Sequence, residues 1–186
     1  MFGNLITSRQ LRNLRSENCL FIEPFAEANL KATHYTLNPG RVLKRTPEGD
    51  WNDIFTFSDT RKTYQLDANE YVVVEVRQTV KIQREGIVGR FVTTSSNVEA
   101  GLLVVAGQID SQYGVNGEAL RFGVKNLLSE PNSLEKNARL AHLEFFDLRG
   151  IMSEGRSPSD SEIEFWARRK RDANWERADS DGAFPR

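Results

Sequence analysis

Side chains able to carry chemistry are few in this sequence, and they are scattered. There is one cysteine, Cys19, and there are two histidines, His34 and His142. A lone thiol excludes an internal disulfide and a thiolate zinc site, and two histidines argue against a histidine-rich metal centre. The run Thr94-Ser95-Ser96 is the first group suited to a charged ligand, because hydroxyls and turn amides donate hydrogen bonds to phosphate oxygens. The competing reading is a Ser/Thr-rich turn that satisfies its own backbone. Asp110 and Tyr113, read locally, make an Asp-started hairpin turn with an aromatic ring packed beneath it. Near the C-terminus Arg168, Arg169, Lys170 and Arg171 lie beside Trp166 and Trp175, a combination that can meet nucleic acid or an acidic partner. Glu162, Glu164, Asp172 and Glu176 intersperse that run, so a solvated helix face is the stronger reading and no nucleic-acid partner is expected.

The elements that must position these groups are mostly strands. Segments 70–76 (EYVVVEV), 86–94 (GIVGRFVTT), 101–106 (GLLVVA), 119–124 and 140–148 (LAHLEFFDL) are rich in β-branched and aromatic residues and are separated by turn signals. Strands at this spacing predict a sandwich or barrel. Residues 6–16 read as a short helix capped by Thr7 or Ser8, with Leu11 and Leu14 on its apolar side. Phe21 to Phe25 reads as an apolar turn, 33–43 as extended chain, and 45–53 (RTPEGDWND) as a polar loop. After Gly150 the pattern changes: Ser159 or Asp160 caps a predicted amphipathic helix over 161–177, followed by a tail. Two regions result, a β-rich domain over 1–150 and a helix with its tail over 151–186. The chain has 186 residues, 27% of them charged, with a formal net charge of −1. No global basic excess draws it to nucleic acid or a membrane surface. The N-terminal segment lacks a signal-peptide pattern and no apolar run is long enough to span a bilayer, so a cytoplasmic location is expected.

Four segments, in order, resemble the dCTP deaminase branch of the dUTPase superfamily. LITSRQLRNL is similar to the family's opening helix. FIEPFAEANLKATHYTLNPG resembles its IxPF…LxPASYDLxLG segment through Ile22, Pro24, Phe25, Leu30, Tyr35, Leu37 and Gly40. VGRFVTTSSNVEAGLLVVAGQID resembles VGRLEGRSSLARLGLxVxxTAGxIDPG, and LEKNARLAHLEFFDL resembles the closing LxPGMxIxQLxFFxL. The resemblance covers residues 4–150. It implies a mainly β, distorted barrel of jelly-roll type that forms a homotrimer, with pyrimidine deoxynucleoside triphosphate sites between subunits and Mg²⁺ arriving with the nucleotide rather than held by protein ligands. It also implies roles. Asp110 would orient an attacking water as general base, and Tyr113 would pack on the deoxyribose. Thr94, Ser95, Ser96, Gln108, Tyr113 and Arg121 would line the nucleotide, with Ser95, Asp110 and Glu118 as the catalytic candidates.

Departures from the family pattern bear on activity. Thr94 stands where the family has the Arg of RSS, which removes a bidentate phosphate donor. Glu99 stands where RSSLAR has its second Arg. Arg121 stands where the deaminase has a proton-shuttling Glu, and an arginine cannot shuttle protons near neutral pH. The 113–117 hairpin is longer than in the family; a competing register brings Gly123 to that position, and Glu118 is the carboxylate that could substitute. Glu99 and Arg121 are expected to form a reversed ion pair. Thr36 replaces the Asp of SYDL, Lys136-Asn137 replaces PG, and Gly182-Ala183-Phe184 is a poor remnant of the dUTPase glycine-rich tail. The expected function is a dCTP deaminase-like hydrolase of pyrimidine deoxynucleotide metabolism with reduced or lost deamination. The alternatives are a non-catalytic nucleotide sensor or trimeric scaffold, and a dUTP diphosphatase using Asp110.

Overall fold

The computed structural model describes residues 4–105, 107–111 and 113–149. The helix and tail expected over 151–186 lie outside the described residues. The chain opens with β1 (Asn4–Leu5) and α1 (Ser8–Ser16). Thr7 caps α1: its hydroxyl accepts from the Gln10 backbone N–H while the Gln10 side chain accepts from the Thr7 N–H, a reciprocal pair that satisfies two free donors. Leu11 and Leu14 are the buried side of this helix. Strands β2 (Leu20–Glu23), β3 (Tyr35–Leu37), β4 (Pro39–Arg45), β5 (Trp51–Thr56), β6 (Thr63–Leu66), β7 (Tyr71–Val76), β8 (Thr79–Ile82) and β9 (Ile87–Val92) follow. A short helix, α2 (Ser95–Glu99), then leads to β10 (Leu102–Val105), β11 (Gln108–Ile109), β12 (Arg121–Asn126), β13 (Asn132–Glu135) and β14 (Ala141–Asp147).

The strands assemble, all antiparallel, into two five-stranded sheets and two two-stranded ribbons. The first sheet runs β1-β14-β9-β11 with β3 also paired to β14; the second runs β10-β12-β7-β4-β5; the ribbons are β13-β6 and β2-β8. Alternation along each strand decides the core. Val72, Val74 and Val76 of β7, Phe122 and Val124 of β12, and Ala141, Leu143 and Phe145 of β14 point inward and join one apolar cluster. The two sheets meet there, with the rings of Phe91 and Phe122 edge to face at 4.9 Å. Burying a Phe122-sized side chain contributes about 2–3 kcal/mol. No helix among the described residues is long and apolar enough to cross a membrane.

Mainly β architecture and the first helix match the sequence reading, with three corrections. The sheets pack as layers and do not close into a hydrogen-bonded barrel. The apolar turn expected at Phe21 is strand β2, paired with β8 over Leu20↔Ile82 to Glu23↔Thr79. The polar loop expected over 45–53 shrinks to residues 46–50, because Trp51 already pairs with Arg45. That last strand is an edge strand exposed at nearly every position, so it lacks the apolar–polar alternation that marks a half-buried strand.

The turn between β11 and β12 is pinned at one point. Gly114 has φ +78°, and a Cβ there would run into the Val80 carbonyl oxygen of β8, while the Ile82 N–H donates to the Tyr113 carbonyl at 2.9 Å. Gly114→Ala is expected to cost at least about 1–2 kcal/mol from the left-handed backbone alone. Gly117→Ala, also at positive φ but facing open space, should cost less. Urea unfolding midpoints check this; equal midpoints for the two variants would contradict it.

Candidate functional site

At the end of β9 the chain turns into α2, and one hydroxyl organises the turn. Thr94 is 3% exposed. Its Oγ1 donates to the Arg139 carbonyl at 3.1 Å and accepts from the Asn97 backbone N–H at 3.2 Å. Ser96 Oγ lies 2.9 Å from Thr94 Oγ1. A hydroxyl has one proton, and that of Thr94 goes to Arg139, so Ser96 is the donor of this pair. Asn97, also buried, donates its Nδ2 to the Leu140 carbonyl at 2.7 Å. The triplet thus divides its work: Thr94 is consumed as a helix cap, the Ser96 proton is committed to Thr94, and the exposed Ser95 hydroxyl has no hydrogen-bond partner among the described residues.

Asp110 stands elsewhere. It follows β11, whose Gln108 and Ile109 pair with Arg90 and Gly89 of β9. Asp110 is exposed, and its Oδ1 accepts from Gln108 Nε2 at 2.8 Å. Its carbonyl accepts from the Tyr113 N–H at 3.1 Å, which is the Asp-started turn anticipated from the local sequence. Ser111 fastens this turn to β9 by accepting from the Gly86 N–H and donating to the Ile87 carbonyl. Within one chain, Asp110 and the Ser95 turn lie at opposite ends of β9, separated by about 13 Å of strand at ~3.3 Å per residue. One chain therefore does not bring the two halves of the expected site together.

A third group surrounds Tyr113. The ring packs partly against the core, and burial, then Glu118 and Glu75, push its phenol above the usual tyrosine range while Arg121 pulls the other way. Glu118 is exposed and accepts from the backbone N–H and Nδ2 of Asn116 at 3.2 and 3.3 Å. Backbone hydrogen bonds, first from its own N–H, hold this carboxyl below the ordinary range. It stays ionised and is a poor proton donor near neutrality.

Arg121 does not meet Glu99 as expected; it pairs with Glu75. The two residues are direct cross-strand partners in β12 and β7, with Arg121 Nε 3.0 Å from Glu75 Oε2. Arg41 of β4 lies opposite on the other side and donates Nε and Nη2 to the same carboxylate at 2.8 and 3.0 Å. Glu75, 14% exposed, is thereby clamped between two guanidinium groups. The reversed pair fails for a topological reason: Glu99 ends α2, away from the row that β4, β7 and β12 hold in register. Burial pushes the Glu75 carboxyl up, but hydrogen bonds and charge from Arg41 and Arg121 outweigh it and hold the group below its ordinary value.

The sequence reading missed Glu75 and Arg41, along with Arg139 and a stacked pair of imidazoles, His34 and His142, whose ring centroids are 3.9 Å apart. The alternation in EYVVVEV puts Glu75 on the outer face, which was the available signal; the cross-strand partners were not readable. An Mg²⁺ ion that arrives with a nucleotide is held mainly by phosphates and water and needs no cage of protein ligands. No three His, Cys, Asp or Glu side chains among the described residues gather closely enough to hold a metal ion. The Thr36 hydroxyl is buried and without a hydrogen-bond partner.

No protein-family model and no curated protein matches the chain. Solved structures do. The 2′-deoxycytidine 5′-triphosphate deaminase from Agrobacterium tumefaciens superposes over 79% of this chain and 49% of its own, with 12% identity and a TM-score of 0.60. This chain has the dCTP deaminase fold. It spans about half the length of that deaminase chain. A dUTPase of Staphylococcus bacteriophage 80alpha is more distant in shape, with 16% identity, 69% of this chain and 82% of that chain covered, and a TM-score of 0.45. The EIAV dUTPase aligns over 67% of this chain and 95% of its own at 18% identity and a TM-score of 0.40.

The clamp has a pH signature. Because the folded-state value of Glu75 is depressed, its contribution to stability is present above the unfolded carboxyl range and is lost as pH falls through the folded value. Glu75→Gln is expected to cost about 1–2 kcal/mol at pH 7. The gap between wild type and variant should close below about pH 4, the ordinary carboxyl range. Unfolding curves at pH 7 and pH 3.5 check this; a gap that does not change with pH would refute it.

Proposed function

We propose that this chain binds a deoxypyrimidine nucleoside triphosphate at the junction between copies of itself, as a homotrimer, and that it does not deaminate the base. The observation that carries this is the separation of its two half-sites along β9. Ser95 with its free hydroxyl is at one end and Asp110 with Tyr113 is at the other, so a complete cleft requires the Ser95 end of one copy against the Asp110 end of the next. A surface for such an assembly is available. Val98, Leu103, Val105 and Leu127 are exposed, and β10, which carries two of them, is an edge strand of its sheet. Contiguous exposed aliphatic side chains of this kind mark association surfaces.

Loss of deamination follows from proton bookkeeping. Attack of water on a pyrimidine ring needs a group that takes a proton from water and returns one to the leaving amine. Arg121 cannot exchange protons near neutrality. Glu75 is held ionised by two arginines, and Glu118 by backbone donors. Asp110 is exposed, and its side-chain hydrogen-bond partner is the neutral Gln108 amide, with no backbone donor holding it among the described residues. A water-activating role there favours phosphate chemistry over ring chemistry, so diphosphate release from dUTP is the second reading.

Purified protein is expected to bind dCTP, dUTP or dTTP in calorimetry, with at least about tenfold weaker binding for Ser95→Ala, the size of one lost hydrogen bond to a charged group. No ammonia is expected from dCTP. Diphosphate from dUTP, abolished by Asp110→Ala, would favour the second reading. Light scattering is expected to give three times the chain mass. A monomer that binds no nucleotide would end the proposal.

A further inference from the structure

Thr36 is 2% exposed, and its Oγ1 is the buried side-chain polar atom without a partner among the described residues. Such an atom costs free energy that a ligand or a moving neighbour can recover. Its strand neighbours Tyr35 and Leu37 belong to the core, so Thr36 faces the outer side of the first sheet, directly opposite His142 of β14. There the His34 and His142 rings stack at 3.9 Å with planes 24° apart. Lys31 acts electrostatically on His34, and Arg139 on His142. Neither Lys31 nor Arg139 forms a salt bridge with any described carboxylate. Glu144, the acid that faces both histidines, is already held by Arg90 at 2.7 Å.

The cluster adjoins the Ser95 turn through the main chain. The Arg139 carbonyl is the acceptor of the Thr94 hydroxyl, and the next carbonyl, Leu140, accepts from Asn97 of α2. His142 itself sits opposite Val92 at the end of β9 that leads into this turn. Two cations without a salt bridge, two protonatable rings and an orphan hydroxyl thus cluster beside the segment that fastens the turn carrying Ser95.

We propose that this cluster is a proton-coupled polyphosphate site, in which Arg139 and Lys31 supply fixed charge and the His34–His142 pair takes up a proton as the anion binds. It rests on the reading of the Ser95 turn as the phosphate end of the nucleotide cleft and names side chains that balance the charge there. Arg139 takes the part of the cation that Thr94 lacks. Burial first lowers both imidazoles below the ordinary histidine range; Lys31 adds to this at His34, and His34 and Arg139 add to it at His142, with Glu144 opposing in both cases. The free pair is therefore neutral near pH 7, and rings this close resist double protonation. A polyanion reverses the local potential and raises both groups. Binding then consumes a proton, and affinity strengthens as pH falls through the histidine range.

The test uses wild-type protein, inorganic tripolyphosphate in EDTA, and proton NMR of the two histidines. Tripolyphosphate is expected to raise at least one imidazole titration by about one pH unit and to bind about tenfold more tightly at pH 6 than at pH 8, as uptake of one proton requires. Arg139→Ala should weaken binding by about tenfold or more, the loss expected for a charge-assisted contact. His142→Gln should flatten the pH dependence. If dCTP binds while both histidine titrations stay unmoved, this inference fails and the nucleotide reading stands. If tripolyphosphate binds with proton uptake but no nucleotide does, the nucleotide reading fails and the anion site stands. No binding of either ligand overturns both.

Discussion

β9 and β14 pair over six positions, from His142↔Val92 to Asp147↔Ile87, and this ladder decides where every reactive side chain can stand. Antiparallel strands alternate their faces with a period of two. Once Leu143 and Phe145 commit to the core, His142 and Glu144 must face out, and with them Val92 and Arg90 of β9. The ladder also sets a length. Its two ends carry the Ser95 turn and the Asp110 turn, and no rearrangement of loops can shorten the strand between them. A register slip of one residue in β14 would send His142 and Glu144 into the core and Leu143 and Phe145 into solvent, which is why the arrangement is held so firmly.

How polar groups are buried divides the molecule into settled and unsettled parts. Asn126 is fully buried and satisfied, its Nδ2 donating to the Asp67 and Glu130 carbonyls. Gln78 and Asn38 exchange hydrogen bonds at 3.0 Å. Glu75 has two arginines. Each of these groups is complete and needs nothing further. Thr36, Ser95, Lys31 and Arg139 keep hydrogen-bonding capacity, and they belong to neighbouring elements at one end of the β9–β14 ladder. Interior polar atoms that find partners support a unique fold, whereas one left without is a place to look for function.

The strands that build the core were legible because their sequences are dense in β-branched and aromatic residues: 70–76, 86–94, 101–106, 119–124 and 140–148 all hold strands within a few residues of the expected limits. Short or exposed strands were not. Trp51–Thr56 faces solvent, and Thr63–Leu66 and Asn132–Glu135 form a ribbon in which one position per strand is buried, so no periodic signal exists to read. Ser95–Glu99 is one helical turn and a little more, too short for a helical period to show in a Ser/Thr-rich segment. Among the site residues, local chemistry was readable and pairing was not. The Asp110 turn follows from its own sequence, but the choice of Glu75 over Glu99 as the partner of Arg121 depends on which strands lie side by side, 46 residues apart in the chain. The stacking of His34 on His142 depends on the same kind of long-range adjacency.

The edge strand β10 sets a condition on how this protein exists at all. Leu102 to Val105 carries no charge, no proline and no bulge, the devices by which a sheet ordinarily protects an open edge. Its hydrogen-bonding groups and its aliphatic side chains are offered to whatever strand arrives first. A neighbour that covers it correctly makes folding and assembly one event, so that resistance to unfolding rises with the amount of protein present. A crowded nascent chain that meets the wrong strand has the same contacts to gain, and for such a sequence the race between assembly and aggregation is decided by encounter order.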